Sequence, residues 1–162
     1  MSAKHKRKSW QEKLTDSKDL PKIGEVCGNT TKKWGTGTMV IPAPIEVDEF
    51  MRRVPKGRVT TINHIREALA RKHRVNFACP MTTGIFAWIA SHAAAEAAAE
   101  GKKRVTPWWR TLKSEGELNP KYPGGVAEQA ARLKAEGLAI EPGAGRKPPR
   151  VKDFEKRLAK QL

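Results

Sequence analysis

The chain has little cysteine, little acid and no long apolar run, and each shortage removes a class of explanation. Its 162 residues include two cysteines, Cys27 and Cys79, neither in a Cys-x-x-Cys pair nor at metal-ligand spacing from a histidine. A disulfide framework is therefore excluded, and Cys79 reads as a buried structural thiol in a reducing compartment. The four histidines are His5, His64, His73 and His92; His64 and His73 stand nine positions apart, off a common helix face. No metal and no cofactor is expected. No apolar run approaches the roughly 18 residues that a spanning helix needs, and no signal-type hydrophobic stretch follows the basic N-terminus. No membrane partner is expected, and a cytoplasmic, nucleoid-associated location follows by default.

Acid is scarce against base: 17 Asp and Glu face 32 Lys and Arg, a net charge of +15. Such a chain suits a polyanion, most commonly DNA or RNA. The plainer alternatives are a solubilising charge or association with the ribosome. The length allows one domain with a real core plus tails.

Residues 1–8 form a basic arm with Lys4, Lys6, Arg7 and Lys8, suited to tracking phosphates. Ser9 is placed to cap a short helix carrying Trp10 and Leu14. Residues 21–44, with Trp34 and the run Met39-Val40-Ile41, read as irregular chain with at most one strand. After Pro44 a helix is expected over 45–53, acidic at its start (Glu46, Asp48, Glu49) and basic at its end (Arg52, Arg53), as the macrodipole favours. Thr60 or Thr61 caps a helix to about Lys72, with Ile62, Ile65 and Leu69 on one face. A loop at 73–81 follows, and Pro80 is suited to open a helix over 81–100. In that helix Ile85, Trp88, Ile89 and His92 share one stripe, broadened by Phe86 and Ala90. The alanine run 93–99 extends it, and Gly101 ends it.

Lys102, Lys103 and Arg104 beyond Gly101 either compensate the helix dipole or contact phosphate; the sequence leaves both open. Residues 105–120 are expected to make a pocket turn and a small hairpin or wing. Gly124-Gly125 lead into a helix over 126–136 with Val126, Ala130 and Leu133 inward. Leu138-Ala139-Ile140 read as a short strand, 142–150 as a basic linker, and 151–161 as an amphipathic helix whose Val151, Phe154 and Leu158 either pack on the domain or bind a partner.

The segment Thr106-Pro107-Trp108-Trp109-Arg110, closing at Gly116, resembles the active-site run of the O6-alkylguanine DNA alkyltransferases, Pro-Cys-His-Arg-Val and a turn ending in Gly. Pro107 and Arg110 keep their places; Trp108 stands where the nucleophilic cysteine would be, and Trp109 replaces the histidine. Val54-Pro55-Lys56-Gly57-Arg58-Val59-Thr60-Thr61, Tyr122-Pro123-Gly124-Gly125 and Leu133-Lys134-Ala135-Glu136-Gly137 match further family segments in order and spacing. The resemblance spans about residues 45–141 and is nearest to the alkyltransferase-like proteins, which carry Trp at that position. It implies a mainly α fold: a winged helix-turn-helix DNA-binding domain over 45–141 with a small β element. Residues 1–44 would be a basic N-terminal extension, and 142–162 a basic linker with a C-terminal helix.

The resemblance also implies roles. Arg58, Thr60 and Thr61 would hold phosphates. The second helix of the motif would lie in the minor groove, with Thr82, Thr83, Gly84, Ala87 and Ser91 permitting close approach. Met81 stands where the family has an arginine that fills the gap left by a flipped base, and Ile62 where it has a tyrosine. Trp108, Trp109, Arg110, Tyr122 and Glu136 would form the base pocket, with Arg110 and Glu136 in a structural network around it. An indole has no thiolate, so alkyl transfer is excluded and no catalytic residue is assigned. The implied function is non-catalytic: a monomer binds duplex DNA with a damaged base, flips the alkylated guanine, and flags it to nucleotide excision repair proteins. Two alternatives stay open. One is a DNA glycosylase on the same scaffold, with Glu46, Asp48, Glu49 or Glu136 as the carboxylate. The other is a general winged-helix DNA-binding protein, which Ile62 and Met81 favour.

Overall fold

A computed structural model describes residues 6–26, 37–160 and 162. The start of the basic arm, with Lys4 and His5, and the segment with Cys27 and Trp34 lie outside the described residues. Helix α1 (Trp10–Thr15) begins with a capping box: Ser9 Oγ accepts from the Glu12 amide, and the Glu12 carboxylate accepts from the Ser9 amide. Strands β1 (Lys22–Glu25) and β2 (Thr38–Ile41) pair antiparallel with Ile23 opposite Val40. Strand β4 (Phe77–Ala78) adds to β2 in parallel. Two findings depart from the sequence reading: 21–44 supplies two strands, and the stretch read as a loop at 73–81 supplies a third. Strands of two to four residues show no usable alternation, and a parallel partner distant in the chain leaves no local signal.

Helix α2 (Pro44–Arg52) is followed by β3 (Thr60–Thr61) and α3 (Ile62–His73). Thr61 is the N-cap of α3, its Oγ1 accepting from the His64 amide. Helix α4 (Pro80–Ala99) opens on Pro80 and runs to the left-handed Gly101, as the sequence predicts. It is the central helix, packed by α1, α2 and α3. The residues it buries are Thr83, Ala87, Ala90, Ser91, Ala93, Ala94 and Ala97. Small side chains let the neighbouring backbones come close on several sides at once. Of the bulkier side chains, Phe86 and Ile89 pack against this core, while Ile85 is 44% exposed and Met81 59%.

A second core gathers Val59, Leu112, Leu118, Leu133, Leu138, Val151 and Phe154. It is built from α5 (Gly125–Ala135) together with segments before and after it in the chain. After a 3-10 turn at Trp108–Arg110, strand β5 (Thr111–Leu112) pairs in parallel with β3 instead of forming the expected hairpin. A tight turn follows, closed by the Lys113 amide donating to Glu117 O at 2.9 Å. Strands β6 (Ile140–Glu141) and β7 (Arg150–Val151) make an antiparallel ribbon. The stretch read as a linker at 142–150 is the connection of this ribbon, tied down by the Leu118 amide donating to Pro149 O at 2.8 Å. The α-helix expected over 151–161 is corrected too: β7 leads into a 3-10 turn at Phe154–Arg157, then a bridge between Val59 and Leu158. Asp153, at φ 52°, breaks helical continuity. Val151, Phe154 and Leu158 still pack on the domain, because spacings of three and four also suit this bent path. The whole is mainly helical with small sheets, of helix-turn-helix type, and among the described residues no helix is long and apolar enough to cross a membrane.

Candidate functional site

The segment after Pro107 is fixed by one carboxylate. Glu136, at the C-terminal end of α5, accepts from Arg110 Nε at 2.7 Å, from Trp109 Nε1 at 2.8 Å and from the Gly57 amide at 3.2 Å. Arg110 Nη1 also donates to Val54 O at 2.8 Å. The network therefore ties the turn 54–57, the 3-10 turn and α5 to one another. Burial works to raise the Glu136 pKa, but the bonds from Arg110, Trp109 and Gly57 outweigh it, so the carboxyl lies below its ordinary value.

Trp108, Trp109 and Tyr122 meet edge to face. The Trp108 ring is 5.8 Å from Trp109 and 5.9 Å from Tyr122, with interplanar angles of 87° and 84°. Trp108 is 2% exposed and Tyr122 3%. Burial pushes the Tyr122 phenol well up, against a weaker opposing bond with Asn119. Arg132 covers this cluster, its guanidinium 4.8 Å from the Trp109 ring and 5.3 Å from that of Trp108. The structure thus brings Trp108, Trp109, Arg110, Tyr122 and Glu136 together. The rings of Trp108 and Tyr122, both expected in a base pocket, are packed into the core.

The surface of α4 needs correction as well. Thr83, Ala87 and Ser91, expected to face a groove of DNA, are buried, with Thr83 Oγ1 donating to Cys79 O and Ser91 Oγ to Trp88 O. Thr82 and Gly84 are half-buried, and Met81 is the most exposed of the set. Thr60 and Thr61 are buried at 2% and 1%, where Thr61 serves as a cap; Arg58 alone of the three is exposed.

Open space lies instead between α4 and the turn 113–121. A cavity of about 300 Å³ is bounded by Met81, Gly84, Ile85 and Trp88 on one side and by Lys113, Asn119, Pro120 and Lys121 on the other. A neighbouring one of about 310 Å³ shares Gly84, Lys113 and Asn119 and reaches Ile62. Two contacts fix the walls. The buried Gln129 side chain accepts from the Asn119 amide and donates to Trp109 O and Thr111 O. His92 Nε2 lies 2.9 Å from Lys121 O, and Trp10 of α1 stacks on His92 and meets Trp88 edge-on. The sequence reading assigned no site role to Ile85, Lys113, Asn119, Lys121 or Gln129. Ile85 carried a usable signal, since it stands one helical turn after Met81.

The model of the family described as the DNA-binding domain of 6-O-methylguanine DNA methyltransferase matches residues 43–138. The chain belongs to that family. The matched residues run from the N-cap of α2 to just past α5, and every residue of the site described above, Trp10 apart, falls within them. Among solved structures the chain is similar to Atl1 of S. pombe in complex with damaged DNA containing O6-carboxymethylguanine. The identity is 19% and the TM-score 0.51, over 72% of this chain and 94% of that chain. It is similar too to ATL of S. pombe in complex with DNA, at 21% identity and a TM-score of 0.52 over the same shares. At these identities the likeness is one of fold. No curated protein matches the chain. Membership of the methyltransferase DNA-binding family accounts for the order of the matched segments, from Val54 to Gly137.

Proposed function

We propose that the chain is a non-catalytic sensor of alkylated guanine, which grips duplex DNA in the minor groove with α4 and removes no alkyl group. The observation that carries this reading is the exposed pair Met81 and Ile85, one turn apart at the start of α4 and bordering the 300 Å³ cavity. Large apolar groups held in water on a strongly basic protein suit insertion between base pairs, where they unstack a step and kink the duplex. Lys113 and Lys121, which border that cavity, are exposed, as is Arg58, and all three are suited to phosphates. The extruded base would enter the cavity between α4 and the turn 113–121. Flipping costs a few kcal/mol, less at a damaged pair.

By the resemblance of the segment 106–110, Trp108 stands where the family's nucleophilic cysteine would be, and an indole cannot accept an alkyl group by displacement. Its buried ring is packed edge to face against Trp109 and Tyr122. Three of the four carboxylates that a glycosylase could use are already engaged, and the fourth, Glu49, is exposed on α2. Glu136 serves Arg110, Trp109 and Gly57; Asp48 serves Arg52 and Thr106; Glu46 serves Lys72, His73 and the Ala43 amide. Handover to nucleotide excision repair proteins, a monomeric state and a nucleoid location complete the reading. The test is incubation with a duplex carrying one O6-methylguanine labelled in its methyl group. The label stays on the DNA and alkali releases no strand break; label on the protein, or an alkali-labile site, contradicts a non-catalytic sensor.

A further inference from the structure

A second concavity lies on the other side of α4. Successive helical residues turn by about 100°, so Ala94 and Ala97 point roughly opposite to Met81 and Ile85. There α1, α2 and the C-terminal half of α4 enclose a groove of about 200 Å³, floored and walled by Leu14, Ile45, Ala94, Ala97 and Val105. Arg52, Lys102 and Arg104 stand at its rim. Lys102 Nζ reaches across to Gln11 Oε1 of α1 at 3.1 Å, and Arg52 is held by the buried Asp48 at 2.8 Å. The groove's walls are thus fixed by polar contacts at its edge, and its lining is mostly apolar, with Gln11, Thr15 and Thr106 as the uncharged polar members.

We propose that this groove docks an acidic segment of a partner protein that carries one large apolar side chain. The volume admits a single aliphatic or aromatic group, and Lys102 and Arg104 at the rim meet carboxylates beside it, Arg52 being already paired with Asp48. A phosphate backbone has no use for an apolar floor, which favours a peptide over nucleic acid. The basic cluster past Gly101 gains a role here that neither dipole compensation nor a phosphate contact provides: Lys102 and Arg104 flank an apolar socket. A duplex lying on the Met81–Ile85 side leaves this side of α4 free, so both partners fit at once. The proposal stands on the groove alone and does not depend on the lesion reading.

The test uses the full chain and a fluorescein-labelled peptide, Asp-Asp-Glu-Leu-Glu-Asp-Asp, followed by anisotropy. The probe binds, the charge reversals Lys102→Glu and Arg104→Glu together weaken it at least about tenfold, and replacing its Leu by Ala weakens it roughly tenfold, as expected for one buried leucine. Ala97→Met, which fills the groove, weakens it as well; the charge reversals are at exposed positions and keep the test valid should Ala97→Met fail to fold. Equal binding of the Ala peptide means unspecific charge attraction and overturns the proposal. So does competitive displacement by unmodified duplex DNA, with the reversals weakening DNA as much as peptide, which makes the surface a nucleic-acid contact.

Discussion

The Arg110 guanidinium meets the Glu136 carboxylate at 2.7 Å with 14% and 7% of the two side chains exposed, and this pair holds the segment after Pro107 against the end of α5. Removing one partner leaves the other charge buried and unpaired. Arg110→Met or Glu136→Gln is expected to cost about 3 kcal/mol or more, lowering Tm by roughly 6–12 °C in a chain of this size. The double substitution costs less than the sum of the two, because the second removes a charge already stranded. Thermal unfolding of the three variants checks this; strict additivity contradicts the coupling.

The same carboxylate sets an acid limit. Glu136 lies below its ordinary value of 4.5 in the folded chain, because the Arg110, Trp109 and Gly57 bonds outweigh burial, and Glu46 is lowered in the same way by Lys72, Ala43 and His73. A depressed folded pKa gives stability that is complete above the unfolded value and lost as pH falls through the folded one. Urea midpoints are therefore flat at neutral pH and drop below about pH 4.5. Glu136→Gln starts lower and drops less on acidification; an unchanged acid limb in that variant contradicts the assignment.

Gly116 is required by two constraints at once. Its φ is +81°, and a Cβ there would lie 2.3 Å from the Phe154 ring. Left-handed strain and overpacking together make Gly116→Ala cost about 2–4 kcal/mol. Loss is expected first in the contact of the C-terminal 3-10 turn with the second core, visible as faster amide exchange at Val59 and Ala159, which bond across that junction. Wild-type exchange there rejects the role given to Phe154.

Much of this architecture is written in local signals. Ser9, Thr61, Pro80 and Gly101 mark helix ends by capping chemistry, and the structure places them there. The association of Trp109, Arg110 and Glu136 follows from the family segments. The orientation of α4 was less legible, because its packing face is made of alanine, serine and threonine, and hydrophobicity alone points the bulky stripe inward. For the same reason Ile85 went without a site role while the buried Ala87 and Ser91 were expected on the surface. The parallel pairs β2–β4 and β3–β5 join residues far apart in the chain, and no single-segment pattern records them.

The proposed wedge residues and the proposed phosphate contacts separate cleanly by experiment. Met81→Ala and Ile85→Ala leave stability within about 1 kcal/mol of wild type, since both side chains are largely exposed, Met81 more than Ile85. They reduce binding to a modified duplex more than to an unmodified one. Arg58→Ala weakens both duplexes alike and lowers the slope of log K against log salt by about 1. A Met81→Ala variant that weakens both duplexes equally contradicts the wedge.

The measurement that bears most directly on damage sensing is competition, at fixed moderate salt, between a duplex with one O6-methylguanine and the same duplex unmodified. The account predicts a preference of about tenfold or more, near 1.4 kcal/mol, abolished in the Met81→Ala, Ile85→Ala double variant. Equal affinity for the two duplexes, with a steep salt slope, contradicts it and leaves a binder driven by phosphate alone.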